Sequence, residues 1–384
     1  MTNNPKPTVK PEDPRFSPGP TRKPKGWTLS KLENAALGRN HRSAPAKAKL
    51  KRAIDRTREV LQVPDTHRIA IVPGSDTGAV ELAMWAMLGQ RGVDVFAWEA
   101  FGKDWITDAI EQLDLDDLRT FEGEYGELPD LSAAQPDRDI VFTWNGTTAG
   151  VRVPNADWIS AGREGITICD ATSAAFAQPL DWDKLDVVTY SWQKVLGGEA
   201  AHGMLILSPR AVERLETYTP PRPLPKLFRL VKDGKLDESV FEGSTINTPS
   251  LLCTEDYLVA LDWAEAQGGL KALHAKATSN AKIIDDFIEA SDWCVHLCKD
   301  KALRSNTGVC LRFTDGSLDH DALQAGMLKR LAEEDVAVDC GAYRTAPSGL
   351  RIWTAATVDP DDLHKLLPWL DWAYRDTAKE LMGA

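Results

Sequence analysis

The stretch DVVTYSWQKVLGGEAAHGM, residues 186–204, decides the reading of this chain. Asp186-Val187-Val188-Thr189-Tyr190-Ser191 is rich in β-branched and aromatic residues and reads as a short buried strand, with Lys194 just past its end. Gly197 and Gly198 let the backbone turn sharply and pass close to a ligand, and Gly203-Met204-Leu205-Ile206-Leu207 resumes as another strand. Ligands of open α/β sheets gather at the carboxyl ends of strands. A lysine there that is partly desolvated and near other cations loses part of its charge and can form a Schiff base. Taken alone, the stretch is more simply a solvated lysine at a strand end, so the rest of the chain must decide.

Working outward, the same rhythm of strand, turn and helix begins at Arg68. Arg68-Ile69-Ala70-Ile71-Val72 is an expected strand, Pro73-Gly74-Ser75-Asp76-Thr77-Gly78 a turn, and residues 79–88 an apolar helix. A glycine-rich turn opening a helix offers free N–H groups to a phosphate; a plain helix capped by Ser75 or Asp76 fits it as well. The turn lacks the lysine of a nucleotide P-loop and the spacing of a dinucleotide fingerprint. Further strands are expected at residues 93–98, 139–144 and 165–169, with a helix near 104–113. Strands alternating with helices predict an α/β fold, a parallel or mixed sheet with helices on both faces. Phe101, Thr147, Asp170 and Lys194 all fall at carboxyl ends of these strands.

The flanks read differently. Prolines at 5, 7, 11 and 14 predict an extended arm over residues 1–15, and the proline-rich run continues to Pro24, interrupted by a tight turn at residues 16–21. Arg39, His41 and Arg42 cluster before an expected helix over 44–61, suiting an anion or merely a solvated surface. Beyond Arg210 the rhythm stops; a large domain over 16–260 and a smaller α+β domain over 261–384 are expected, the latter with strands near 294–297, 308–313, 336–338 and 350–353.

Composition narrows the function. A formal charge of −12 over 384 residues argues against general nucleic-acid binding. No stretch has the length and apolarity of a membrane span or a signal core, so a cytoplasmic protein is expected. The six cysteines are scattered and suit a reducing compartment. Cys294, His296 and Cys298 alternate as metal ligands could, but Trp293–Cys298 reads as an ordinary strand, and no metal is expected.

If Lys194 carries pyridoxal phosphate, the other services have candidates. Asp170 can pair with the pyridinium nitrogen, Phe101 or Trp105 can stack on the ring, and Thr147 can hold the phenolic oxygen. Asp76 and Thr77 in the glycine-rich turn, with Gln193, can hold the phosphate. Ser191-Trp192-Gln193-Lys194, Asp170, His41-Arg42-Ser43, Asn145-x-Thr147-x-x-Gly150, Asn247-Thr248-Pro249 and Gly349-Leu350-Arg351 together resemble the phosphoserine aminotransferase family, fold type I pyridoxal phosphate enzymes of class V, from about Phe16 onward. The resemblance implies transamination between glutamate and 3-phosphohydroxypyruvate by a ping-pong mechanism in a homodimer with shared active sites. It implies that Asn247 and Thr248 reach the neighbouring subunit's cofactor phosphate, that Arg351 grips the substrate α-carboxylate, and that His41, Arg42 and Arg344 hold the substrate phosphate.

Two departures stand out. Thr77 occupies a position where the family often has arginine, and Val195-Leu196-Gly197-Gly198-Glu199 replaces a short glycine-proline turn. The competing readings are an alanine or serine:glyoxylate type aminotransferase and a non-catalytic pyridoxal phosphate fold used for binding; a phosphorylated hydroxythreonine is a further substrate of the family's kind.

Overall fold

The computed structural model describes residues 5–383; residues 1–4 of the expected arm lie outside the described residues. Seven strands form the main sheet: β1 (Arg68–Pro73), β2 (Val93–Ala97), β3 (Leu118–Glu122), β4 (Asp139–Thr143), β7 (Thr167–Asp170), β8 (Val187–Ser191) and β9 (His202–Leu207). Their order is β1-β9-β8-β7-β4-β2-β3. The strands β3, β2, β4, β7 and β8 run parallel, and β9 enters antiparallel to both β1 and β8, with Tyr190 opposite Met204 and Ile71 opposite the same residue. The central strands β2, β4, β7 and β8 are buried throughout because helices cover both faces, which is why their sequences read as continuous apolar runs. The chain is thus α/β, with a mixed, mostly parallel sheet flanked by helices, as expected.

On one face lies α2 (Ser75–Met87), apolar on nearly every side and buried accordingly, with α3 (Ala100–Thr107) and α4 (Pro209–Thr217). On the other, α1 (Ala44–Leu61) packs against α5 (Leu251–Ala266). Two small hairpins, β5 (Asn145–Gly146) with β6 (Val151–Arg152) and β10 (Val231–Lys232) with β11 (Lys235–Leu236), decorate the loops. The carboxyl-terminal part is a three-stranded antiparallel sheet of β12 (Cys294–His296), β13 (Gly308–Phe313) and β14 (Gly349–Trp353), backed by α6 (Gly269–Ala290), α7 (His320–Glu333) and α8 (Pro360–Leu381).

Several local expectations are corrected. The helix expected near 104–113 starts at Ala100, where Glu99 caps it, and ends in a π turn over Asp108–Gln112. The strand expected at 336–338 reduces to one bridge between Val338 and Arg15, because the arm lies along that segment and leaves no second partner strand. Among the described residues the arm is draped rather than free: Trp369 Nε1 donates to the Val9 carbonyl at 2.8 Å, Val338 N to Pro14 O at 2.9 Å, and Trp353 N to Phe16 O at 3.0 Å. That path delivers residues 16–21 to the carboxyl ends of the main sheet.

Candidate active site

The lysine turn is held from below by aromatic residues. Trp192 is buried and stacks on Tyr257 of α5 with ring centroids 4.5 Å apart and planes 6° from parallel. The Tyr257 hydroxyl lies 2.8 Å from that of Tyr190 and 2.9 Å from Thr57 Oγ1, which ties β8, α5 and α1 together beneath the turn. From above, Thr21 N donates to Gln193 O at 2.9 Å, Thr21 Oγ1 donates to Lys194 O at 2.5 Å, and Lys194 Nζ donates to Pro18 O at 2.7 Å. A Cβ at Gly19 would stand 2.1 Å from Lys194 Nζ, so a side chain there would push the amine from this position. The proline-rich flank gave no sign of this contact, since a pairing between residues 18–21 and 193–194 leaves no local signal.

Three buried acids surround the amine. Asp170 ends β7, and its Oδ1 accepts from Thr172 N at 3.0 Å. Glu99, fully buried, accepts from Gly102 N and from Thr148 Oγ1, each at 2.8 Å. Asp76 sits in the first turn of α2 with its carboxyl turned inward against Asp170; the hydroxyls of Thr172 and Thr189 face it without closing a bond. Burial pushes Glu99 up to about 7, reinforced by the charge of Asp170 and opposed by its two donors. Burial likewise pushes Lys194 down to about 8, helped by the Arg351 guanidinium and resisted by Asp170, Glu99 and Asp76.

The glycine-rich turn has Gly74 at φ +85° as the residue before α2, and no side chain caps the helix, so neither Ser75 nor Asp76 serves as N-cap. A Cβ at Gly78 would strike Pro73 O at 2.1 Å, which fixes glycine there as well. The uncapped helix start presents backbone N–H groups and the positive end of the dipole, with Thr77 exposed beside them. Buried polar atoms without partners include Thr172 Oγ1 and Thr189 Oγ1, which face Asp76, and Ser191 Oγ and Gln193 Oε1 beside Lys194 in the sequence. Such groups await an occupant. An amine for an aldehyde, a carboxylate for a pyridinium and an uncapped helix start for a phosphate are the parts pyridoxal phosphate needs, so the residues fit it.

The third wall comes from the small sheet. Arg351 on β14 keeps Nε buried and unpaired, with its guanidinium 5.6 Å from the centre of the Tyr343 ring. Tyr343 lies 5.7 Å from the Phe101 ring, and the exposed Arg344 passes its guanidinium 5.4 Å from the same tyrosine. Tyr343 was not singled out in the sequence; an aromatic in a polar loop far from Lys194 carries no motif. Trp105 is packed in the apolar core of α2 and the central strands, so Phe101 is the aromatic that reaches the cleft. Thr147 is buried and spends its hydroxyl proton on Ser173 Oγ at 2.7 Å, leaving it an acceptor.

No hydrogen bond or ion pair among the described residues engages the side chains of Arg42, Asn247, Thr248 or Arg344, and His41 Nε2 is also without a partner. Arg42, Asn247 and Thr248 lie exposed on the loops leading into α1 and α5.

Residues 28–358 match the aminotransferase class-V family. Over 369 residues the chain is 54% identical to a phosphoserine aminotransferase of Methanosarcina mazei, spanning 96% of this chain and 99% of that protein. Among solved structures it resembles a phosphoserine aminotransferase from Cytophaga hutchinsonii (TM-score 0.80, 21% identity, 93% and 98% of the two chains). A PLP-bound phosphoserine aminotransferase from Trichomonas vaginalis is also similar (TM-score 0.74, 19% identity, 94% and 99%). At those identities the solved structures establish the fold.

Proposed function

Because the chain belongs to the class-V aminotransferases, and within them to the phosphoserine aminotransferase family, we propose that it transfers the amino group of L-glutamate to 3-phosphohydroxypyruvate. The products are 2-oxoglutarate and O-phospho-L-serine, the amination step of serine biosynthesis, with pyridoxal 5'-phosphate as cofactor. The observation that carries this reading is the Lys194 amine at the carboxyl end of β8, held down to about 8 by burial and by the Arg351 charge, with the Asp170 charge acting on it and Arg351 Nε left unpaired.

When bound, the cofactor supplies an electron-withdrawing ring that acidifies the substrate Cα. Asp170 keeps the ring nitrogen protonated by pairing with it, and Phe101 covers the ring. Lys194 would hold the cofactor through its amine and would serve as the base for the substrate Cα proton; an amine held near 8 is deprotonated often enough at neutral pH for that role. Thr147 meets the phenolic oxygen. Backbone N–H groups at Asp76 and Thr77, with Gln193, hold the cofactor phosphate. Arg351 grips the α-carboxylate as a fork, a role its unpaired Nε suits. His41, Arg42 and Arg344 take the substrate phosphate. Asn247 and Thr248, exposed on the loop before α5, would reach the cofactor phosphate of a second copy in a homodimer with shared sites.

No helix among the described residues is long and apolar enough to cross a membrane, and all six cysteines are free; both suit a cytoplasmic enzyme. Incubation of the purified protein with pyridoxal phosphate, glutamate and phosphohydroxypyruvate tests the proposal. Phosphoserine and 2-oxoglutarate should accumulate one for one, with parallel double-reciprocal lines. A protein that binds the cofactor yet forms neither product contradicts it.

A further inference from the structure

The three acids near Lys194 are not equivalent. Glu99 has both oxygens engaged by donors, and Asp170 has the Thr172 N–H. Asp76 is as buried as Asp170, yet its Oδ1 has no partner, and the Asp170 carboxylate faces it together with the Thr172 and Thr189 hydroxyls. Two carboxylates in contact inside a protein cannot both stay ionised. Every other group facing Asp76 leaves that conflict unresolved. Cys169 on β7 is a buried thiol pushed up by burial and by the same two acids, and Thr172 and Thr189 are neutral. His202 on β9, which packs on Trp192 and accepts from Ser250 N, is pushed down to about 4 by burial and brings no charge to this end of the sheet near neutrality. The charge of Lys194 acts on the pair, but it is shared with Glu99.

We propose that Asp76 is a positioning residue: a neutral carboxylic acid whose O–H donates to the Asp170 carboxylate, fixing the group that pairs with the cofactor's ring nitrogen. The inference rests on the reading of Asp170 given above. A single proton between the acids removes the repulsion and satisfies the orphaned oxygen. It also favours the ionised form of Asp170, because a hydrogen bond donated to a carboxylate stabilises its charge. Thr172 and Thr189 remain free to donate to the acid's other oxygen. The side chain of Asp76 is then committed to the ring end of the site, and only its backbone N–H is left for a phosphate.

The sign of the pH dependence follows. Burial against Asp170 holds Asp76 well above the usual carboxylate range in the folded protein. The folded state therefore keeps a proton that the unfolded chain releases near 4. The contribution of this residue to stability is greatest below that pH and falls as pH rises towards the folded value. Asp76→Asn keeps a neutral donor, its amide N–H, but cannot titrate; Asp76→Ala removes the donor.

The test compares wild type, Asp76→Asn and Asp76→Ala, without cofactor and after adding pyridoxal phosphate. The melting temperature of cofactor-free Asp76→Asn minus that of wild type should increase steadily from pH 5 to pH 8. A difference that is flat or shrinks overturns the neutral acid. Asp76→Asn should bind pyridoxal phosphate within a few-fold of wild type, and Asp76→Ala about tenfold more weakly, the loss expected for one charge-assisted hydrogen bond. Equal affinity of Asp76→Ala and wild type overturns the positioning role. If wild type binds no pyridoxal phosphate at all, the reading of Asp170 fails, while the melting comparison still decides the state of Asp76.

Discussion

The two ends of the main sheet treat buried acids in opposite ways. At the amino ends, each carboxylate is met by arginine. Asp139 receives Arg214 through two bonds of 2.7 and 2.8 Å, Asp186 receives Arg163 at 3.0 Å, and Asp94 receives Arg119 and Arg138 at 2.5 and 2.6 Å. At the carboxyl ends, Asp76, Glu99 and Asp170 are just as buried and have no arginine of their own. They share Lys194, with Arg351 across the cleft. The first set is closed by its arginines; in the second, which is left open, burial moves Asp76 and Glu99 towards neutrality. An unmatched acid is expensive to keep in a core, and the open end is where chemistry can use it.

This contrast can be broken from either end. The largest effect is expected from Lys194→Ala, which should lower turnover by about 10⁴-fold and abolish covalent attachment of the cofactor, read by borohydride trapping and mass spectrometry. At the closed end, Arg214→Met leaves Asp139 buried without its cation. It should cost about 3–5 kcal/mol in denaturant unfolding, while the folded fraction keeps the wild-type kcat. Loss of activity with no loss of stability there would erase the distinction between the two ends.

Smaller effects sharpen the open end. Arg351→Ala should reduce kcat/KM by about 10²-fold for glutamate and phosphoserine alike, because both present an α-carboxylate to the fork. Arg351→Lys should recover only part of it, since a point charge does not reproduce the fork. Last, the rate at which the cofactor-free protein attaches pyridoxal phosphate should rise about tenfold from pH 7 to pH 9, tracking deprotonation of a lysine held near 8. A profile still climbing steeply above pH 10 would mean that Lys194 is an ordinary solvated amine.

Much of this was legible in the sequence because strand ends are local. Val187–Ser191, Thr167–Asp170 and Val93–Ala97 announce themselves by unbroken apolar runs, and Lys194, Asp170 and Phe101 follow directly after or at the end of them. The edge strand Leu118–Glu122 escaped notice because it is half-exposed and carries Arg119 and Glu122 among its five residues. Within the site, what escaped is long-range. Pro18, Gly19 and Thr21 meet Lys194 only through the folded path of the arm. Tyr343 meets Phe101 only across the cleft between the two sheets. Asp76 was read into a turn over residues 73–78, whereas the helix already starts at Ser75 and holds it in the first turn; a linear pattern also gives no direction for its side chain, which the fold turns towards Asp170.

The central claim, that the open end serves a phosphorylated amino acid, is tested most directly by comparing phosphoserine and serine as amino donors to 2-oxoglutarate under identical conditions. The account predicts that kcat/KM for phosphoserine exceeds that for serine by at least about 10²-fold, as expected when two or more cations bind the phosphate. Equal values, or a preference for serine, would contradict it.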